Sequence, residues 1–390
     1  MAIDVARARA ETPGCSQVLH FNNAGASLMP QVVLDAQVAH LQREAAIGGY
    51  ESKAEAMDDI EGTYASIARL LNCRAEEIAL MENATVAWHA AFLSLPWQEG
   101  DRILTAEAEY ASNYISYLKL ARQKGVVVER VPSSAMGDLD VEALERMIDG
   151  RVRLIAVTHV PTNGGLVNPA SEIGRIAKAH NILFLLDACQ SAGQLDLDVQ
   201  AIGCDLLSAT GRKYLRGPRG SGFLYVRKER LEEIEPPVLD LHSAHWMAPE
   251  RYEMRPDARR FENWEFNYAA VLGLGAAVDY ALAWGMPEIE RRVVALAADL
   301  RTALAEVPGI TVQDIGTRKC GICTFTHESL DAATISARLR AQAINTSVSD
   351  PNSTLLDATA RELPDLVRAS VHYFNTDEEI DHFCRALREL

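Results

Sequence analysis

Two side chains in this sequence are placed to do chemistry: an aspartate that closes one apolar run and a lysine that follows another. Asp187 ends NILFLLD, and Lys213 comes just after DLLSATGR. In an open parallel sheet, ligands sit at the carboxyl ends of the strands, so both residues would face one crevice together with Thr158 to Thr162, Gln190 and Thr210. A buried lysine beside a second cation, here Arg212, is disfavoured as an ammonium. Its neutral amine is then a nucleophile toward an aldehyde, as Schiff-base formation requires. An acid at the end of a central strand can keep a pyridine nitrogen protonated, which turns that ring into an electron sink for a carbanion. Each residue taken alone also has an ordinary structural role: strand-end aspartates cap helices, and lysines in Gly/Arg-rich loops lie in water.

A parallel sheet is needed to bring these positions together, and the order of apolar runs predicts one. RVRLIAVTHV (151–160), the helically spaced ASEIGRIAKAH (170–180), NILFLLDAC (181–189) and DLLSAT (205–210) give strand, helix, strand, strand. A crossover of this kind implies a sheet buried on both faces, hence an α/β architecture. Upstream, DRILTAE and VVVERVP flank the helical NYISYLKLARQKG and extend the same alternation. A large domain over 20–270 is expected, with a smaller α+β domain from 271–390 completed by 1–19. In the smaller part, helices are expected over AAVLGLGAAVDYALAWG, 287–307, 332–342 and DEEIDHFCRALREL, and strands at ITVQD, CGICTFTH and VRASVHYF. The stretch 236–265 has no clear period, and its histidines and tryptophans suggest a functional loop.

Composition removes several classes of function. The 390 residues, 48% hydrophobic and 24% charged, suffice for one large core and one smaller core. Fifty-four acidic against thirty-eight basic side chains give a formal charge of -16, and no basic run offsets it. Neither nucleic acid nor a membrane surface is therefore expected as a partner. No apolar core follows the arginines of the first twenty residues, which predicts a cytoplasmic protein. Seven scattered cysteines suggest reduced thiols and no disulfide framework. Cys320 and Cys323 form a lone CxxC inside an apolar run, and no second pair completes a zinc site, so no metal is expected. No GxGxxG follows a strand, which argues against a dinucleotide-binding protein.

The run LFLLDACQSAGQLDLDVQAIGCDLLSATGRKYLRGPRGSGFLYVRKE resembles the core of the class V aminotransferase family, which includes cysteine desulfurases, selenocysteine lyases, kynureninase and isopenicillin N epimerase. FNNAGASLMP, ENATVAWHAA, AEYASNY, THVPTNGGLVNP, RFENWEFNYAAVLGLGAA and VRASVHYFNTDEEID follow in the family's order, so the resemblance spans nearly the whole chain. It implies the pyridoxal 5'-phosphate (PLP) fold type I, with a mostly parallel, seven-stranded type of sheet in the large domain and a small α+β C-terminal domain. It further implies PLP as cofactor, an amino-acid substrate, and a homodimer with sites at its interface.

Roles follow from the same resemblance, residue by residue. Lys213, in TGRK, matches the lysine that carries the cofactor as a Schiff base and moves the Cα proton. Asp187 matches the acid paired with the ring nitrogen, and Gln190 the residue bonded to the ring's phenolic oxygen, with Thr162 or Asn163 as a second candidate. Tyr110 stands where relatives usually place a histidine stacked on the ring, and an aromatic face serves equally. Ala84 and Thr85 match the helix start that holds the phosphate, and Thr210 and Arg212 match further phosphate contacts. Arg368 matches the arginine that grips the substrate carboxylate, while Asn23 and Ala24 fall in a segment that lies over the substrate. Arg216 and Arg219 match either a contact to a partner subunit's phosphate or plain surface.

One departure bears on the reaction. Cysteine desulfurases carry a mobile cysteine in the loop before that arginine, and the corresponding AINTSVSDPNSTLLDATAREL has none. TGRKYLRGPRG and NWEFNYAA are more similar to the subgroup of isopenicillin N epimerase and the sulfoxide C-S lyase of ergothioneine biosynthesis. The resemblance thus implies a C-S (β-) lyase first, an aminotransferase or an epimerase second. A scaffold protein that keeps the fold without cofactor is the non-enzyme alternative, and one fold supports all of these.

Overall fold

The computed structural model describes residues 2–390. Its largest sheet has seven strands, in the order Ile78–Met81, Gly222–Val226, Leu206–Thr210, Leu183–Asp187, Val152–Thr158, Arg102–Ala106 and Val127–Val131. Gly222–Val226 runs against both its neighbours, and the remaining pairs are parallel. The central strands are apolar throughout because helices cover both faces. The helix Ala170–Ala179 turns Ile173, Gly174, Ile176 and Ala177 inward and leaves its charged side to solvent. Gly174 brings it very close: a Cβ there would lie 1.8 Å from the Ile202 carbonyl oxygen, in the turn that feeds Leu206–Thr210.

Asp187 is the last residue of its strand, and Lys213 follows the end of the neighbouring strand by three residues. Their turns meet at Gly193, whose φ is +96° and whose missing Cβ would sit 2.3 Å from the Tyr214 carbonyl carbon. Only glycine meets both conditions at once.

A second, antiparallel sheet has the order Ile310–Val312, Ile322–His327, Leu366–Ser370 and Ser347–Ser349. Helices Ala332–Ala341 and Asp377–Arg388 pack beside it around Phe325, Ile335, Leu339 and Phe383. The N-terminal segment joins this part: Leu19–His20 pairs in parallel with Ile344–Asn345, and Arg9 bonds the Phe374 carbonyl at 3.0 Å and Glu379 at 2.7 Å. The helix Tyr268–Trp284 straddles the boundary expected at 270. Its Val271, Leu274 and Val278 belong to the core of the large sheet, and it packs on helices Gln31–Ile47 and Met57–Leu71.

The stretch 236–265 is less irregular than its sequence suggests. It contains an antiparallel hairpin, Ala244–Ala248 with Arg251–Met254, and a short turn of helix at Ala258–Phe261. Both faces of the hairpin are largely exposed, so it lacks the apolar alternation that marks a half-buried strand. Beneath it, buried Glu262 accepts hydrogen bonds from Tyr64 at 2.8 Å and the Leu80 amide at 2.7 Å, and pairs with His242 at 2.8 Å.

Candidate active site

A cavity of about 380 Å³ opens at the carboxyl ends of the central strands. Lys213, Asp187, Gln190 and Tyr110 line it, as do Ala84, Thr85, Thr162, Thr210 and Arg212. The cavity therefore gathers nine of the positions singled out from sequence. Asn83, at its wall, caps the helix Ala84–Leu93 by accepting the Val86 amide at 3.0 Å. The helix's first amides have no partner within the helix, which makes that end a seat for an anion.

The Lys213 amine is held below the usual lysine range, first by burial and then by Arg212 and Arg368, against the opposing pull of Cys189 and Asp187. Burial raises the Asp187 carboxyl above the usual carboxylate range, and hydrogen bonds from Asn113 and the Cys189 amide, with the nearness of Lys213, offset only part of that rise. Those bonds are 3.0 Å from Asn113 Nδ2 to Oδ2 and 2.9 Å from the Cys189 amide to Oδ1.

Asn113 and Glu109 were not apparent from sequence. Glu109 is buried and accepts from Thr105 Oγ1 at 2.9 Å, the Tyr110 amide at 2.9 Å, Asn113 Nδ2 at 2.9 Å, the Thr158 amide at 3.1 Å and the Thr158 hydroxyl. Burial pushes its carboxyl up to about 7. The available signal was a Glu and an Asn four residues apart where a strand hands over to a helix, with Glu109 just before the cap and Asn113 in the first turn.

Arg368 sits on the second sheet with its NH1 donating to the Thr162 hydroxyl and carbonyl, the latter at 3.3 Å, so the two sheets meet at the cavity wall. Its Nε is buried with no partner, as is Gln190 Oε1. Gln190 Nε2 donates to the Ala24 carbonyl at 3.1 Å. Asn23 and Ala24 are buried and stitched to Ser370, by Asn23 Nδ2 to its carbonyl at 2.7 Å and by the Ala24 amide to its hydroxyl at 2.9 Å. They do not line the cavity. Asn163 is also outside the lining and donates to Thr354 at 3.1 Å.

Arg216 serves neither a partner's phosphate nor the surface. It is 1% exposed, bonds the Leu28 carbonyl at 2.9 Å, Tyr373 at 2.6 Å and Thr12 at 2.5 Å, and so ties the N-terminal segment to the rest. Arg219 is exposed at the cavity rim.

An acid at the end of one strand and an amine just past its parallel neighbour, with a helix start opposite, fit a PLP-dependent enzyme of fold type I. Residues 19–383 match the family model for aminotransferase class-V, and the chain belongs to that family. Its cofactor is PLP. Among relatives, a probable cysteine desulfurase of Methanothermobacter thermautotrophicus is 29% identical over 347 residues, covering 88% of this chain and 86% of its own. The apo structure of a cysteine desulfurase from Thermococcus onnurineus NA1 is 27% identical with a TM-score of 0.92, covering 100% of this chain and 98% of its own. The complex between the cystine C-S lyase C-DES and its reaction product cysteine persulfide is 25% identical with a TM-score of 0.87, covering 97% and 99%.

Proposed function

We propose that this PLP-dependent enzyme, which acts on an amino acid, cleaves the bond between a β-carbon and sulfur. A sulfur-substituted alanine plus water would yield pyruvate, ammonia and the free thiol-type fragment. Two similar proteins, a cysteine desulfurase and a cystine C-S lyase, carry C-S chemistry in their names. The observation that favours elimination over sulfur transfer to the protein is the segment before Arg368. It forms the strands Ile344–Asn345 and Ser347–Ser349, a turn at Pro351–Thr354 and the helix Leu355–Ala360, and it carries no thiol. Thr354, on that segment, is buried against Asn163. Among the described residues that line the cavity, the single thiol is Cys189, which burial holds in the protonated form.

The residues present fit the cofactor. The unpartnered Gln190 Oε1 and the neutral-leaning Lys213 amine are the features a bound polar aldehyde would satisfy. Ala84, Thr85, Thr210 and Arg212 would hold the phosphate, Tyr110 would cover the ring face, Gln190 would reach the phenolic oxygen, and Asp187 would hold the ring nitrogen. The bound group supplies an aldehyde carbon and a ring that accepts electrons. Lys213 takes the Cα proton, and burial, helped by the field of Arg212 and Arg368, keeps its amine free to do so. Arg368 holds the carboxylate and thereby sets which bond at Cα is turned toward Lys213 for proton removal.

Incubation with cysteine conjugates, their sulfoxides and simple amino acids tests the reaction. Pyruvate and ammonia should form over many turnovers with no keto acid added. Turnover that requires a keto acid would assign an aminotransferase instead, and racemised substrate without either product an epimerase.

Arg368→Ala should raise KM with a much smaller change in kcat. Loss of a charge-assisted bond worth ~1.5–3 kcal/mol corresponds to a rise of about 10- to 150-fold. An unchanged KM would place the carboxylate elsewhere.

The same reading makes the protein a cytoplasmic homodimer. Its seven cysteines are free, in keeping with a reducing compartment. Leu41, Tyr50, Ile115, Leu241 and Trp246 are large apolar side chains left exposed on the single chain. A single-chain mass by light scattering would exclude the dimer.

A further inference from the structure

We infer that Glu109 is a positioning residue of this site: through Asn113 it fixes the geometry and strengthens the negative field of Asp187, and so helps keep the cofactor's ring nitrogen protonated. The inference rests on the role proposed for Asp187.

Asn113 has one amide nitrogen with two hydrogens, and both are used on carboxylates, Asp187 Oδ2 at 3.0 Å and Glu109 Oε1 at 2.9 Å. Ionised carboxylates only accept, so the amide has one orientation; turned over, its oxygen would face two acceptors. Glu109 is fixed in its turn. Three of its donors are nitrogens that can do nothing but donate: the Tyr110 amide, the Thr158 amide and Asn113 Nδ2. The hydroxyls of Thr105 and Thr158 complete the set, so strands Arg102–Ala106 and Val152–Thr158 and the start of the helix Ala111–Lys124 all aim hydrogens at one buried carboxyl.

Five converging donors favour the charged form but only partly offset burial, so with its carboxyl at about 7 Glu109 is ionised on the alkaline side of neutral. No lysine or arginine side chain bonds Glu109, and the titratable groups that act on it or feel it are Asp187 and the buried Tyr117. An ionised Glu109 repels the Asp187 charge, and that repulsion is relieved when Asp187 faces a cation. A protonated pyridine nitrogen is such a cation. Asn113, also part of the cavity wall, keeps the two carboxylates from meeting directly while holding Asp187 in place.

The experiment uses the holoenzyme reconstituted with PLP carrying 15N at the ring nitrogen, and reads that atom's chemical shift alongside kcat and KM. The parent should show a protonated nitrogen. Glu109→Gln keeps the size and removes the charge, and should move the shift toward the unprotonated value and lower kcat about tenfold, as a one-unit loss of proton affinity implies, with KM nearly unchanged. Asn113→Ala should move the shift the same way, and the double variant should add nothing, because both act on one path. Should Glu109→Gln not fold, Asn113→Ala carries the test alone, since it leaves Glu109 four of its donors. Variants that keep the parent shift, or that add independently, would reduce Glu109 to a brace between strands. An unprotonated nitrogen in the parent would instead sink the role of Asp187 itself.

Discussion

Lys213→Ala should lose turnover by more than about a thousandfold, because one side chain supplies both the covalent link to the cofactor and the base at Cα. Borohydride treatment should trap the cofactor on Lys213 in the parent and leave nothing bound to the variant. The alanine protein should still take up PLP non-covalently, because Ala84, Thr85, Thr210 and Arg212, proposed above to hold the phosphate, lie on other parts of the cavity wall. A reduced adduct mapped to a different lysine would overturn the assignment. No other lysine lines this cavity among the described residues, which is why the expected loss is so large.

Asp187→Ala should separate binding from chemistry. Cofactor content, read by absorbance per chain, should stay close to that of the parent, whereas kcat should fall by about 10²- to 10³-fold, as when a preorganised electrostatic partner is removed from a buried site. The substitution also strands the Asn113 amide and the Cys189 amide, both of which now end on the carboxylate. Part of the loss will therefore appear as reduced thermal stability, of the order of the ~1–3 kcal/mol that a buried unsatisfied donor costs. Full turnover in this variant would show that the ring nitrogen is held by something else.

The large sheet was legible because its central strands are buried on both faces and so form short, unbroken apolar runs bounded by turn residues. The lysine and the acid were legible for a related reason: strand ends are where such sheets bind ligands. Their neighbours were harder to find. Glu109 and Asn113 carry no pattern of their own, and a polar pair at the start of a helix is ordinarily a cap or a solvated face; it takes the three-dimensional convergence of Thr105, Thr158 and Asp187 to show that both are buried. Arg216 misled in the opposite direction. In a Gly/Arg-rich turn it reads as exposed, yet its fork is satisfied by Leu28, Tyr373 and Thr12, partners spread over most of the chain. Asn23 and Ala24, expected over the substrate, bond Ser370 of the second sheet, and the Ala24 carbonyl also accepts from the cavity residue Gln190. The hairpin at 244–254 escaped because a strand exposed on both faces has no hydrophobic period to detect.

The backbone contact at Gly193 has a thermodynamic consequence for ligand capture. Asp187 ends one strand of a buried sheet, Lys213 follows its parallel neighbour by three residues, and the turns after those strands touch main chain to main chain. Neither group has to be gathered from a mobile loop when a ligand arrives, so the entropy of bringing them together is lost once, during folding, and not again at each encounter. Backbone fluctuations that part the two turns would break this contact and expose the buried Ala192 and Tyr214 beside it.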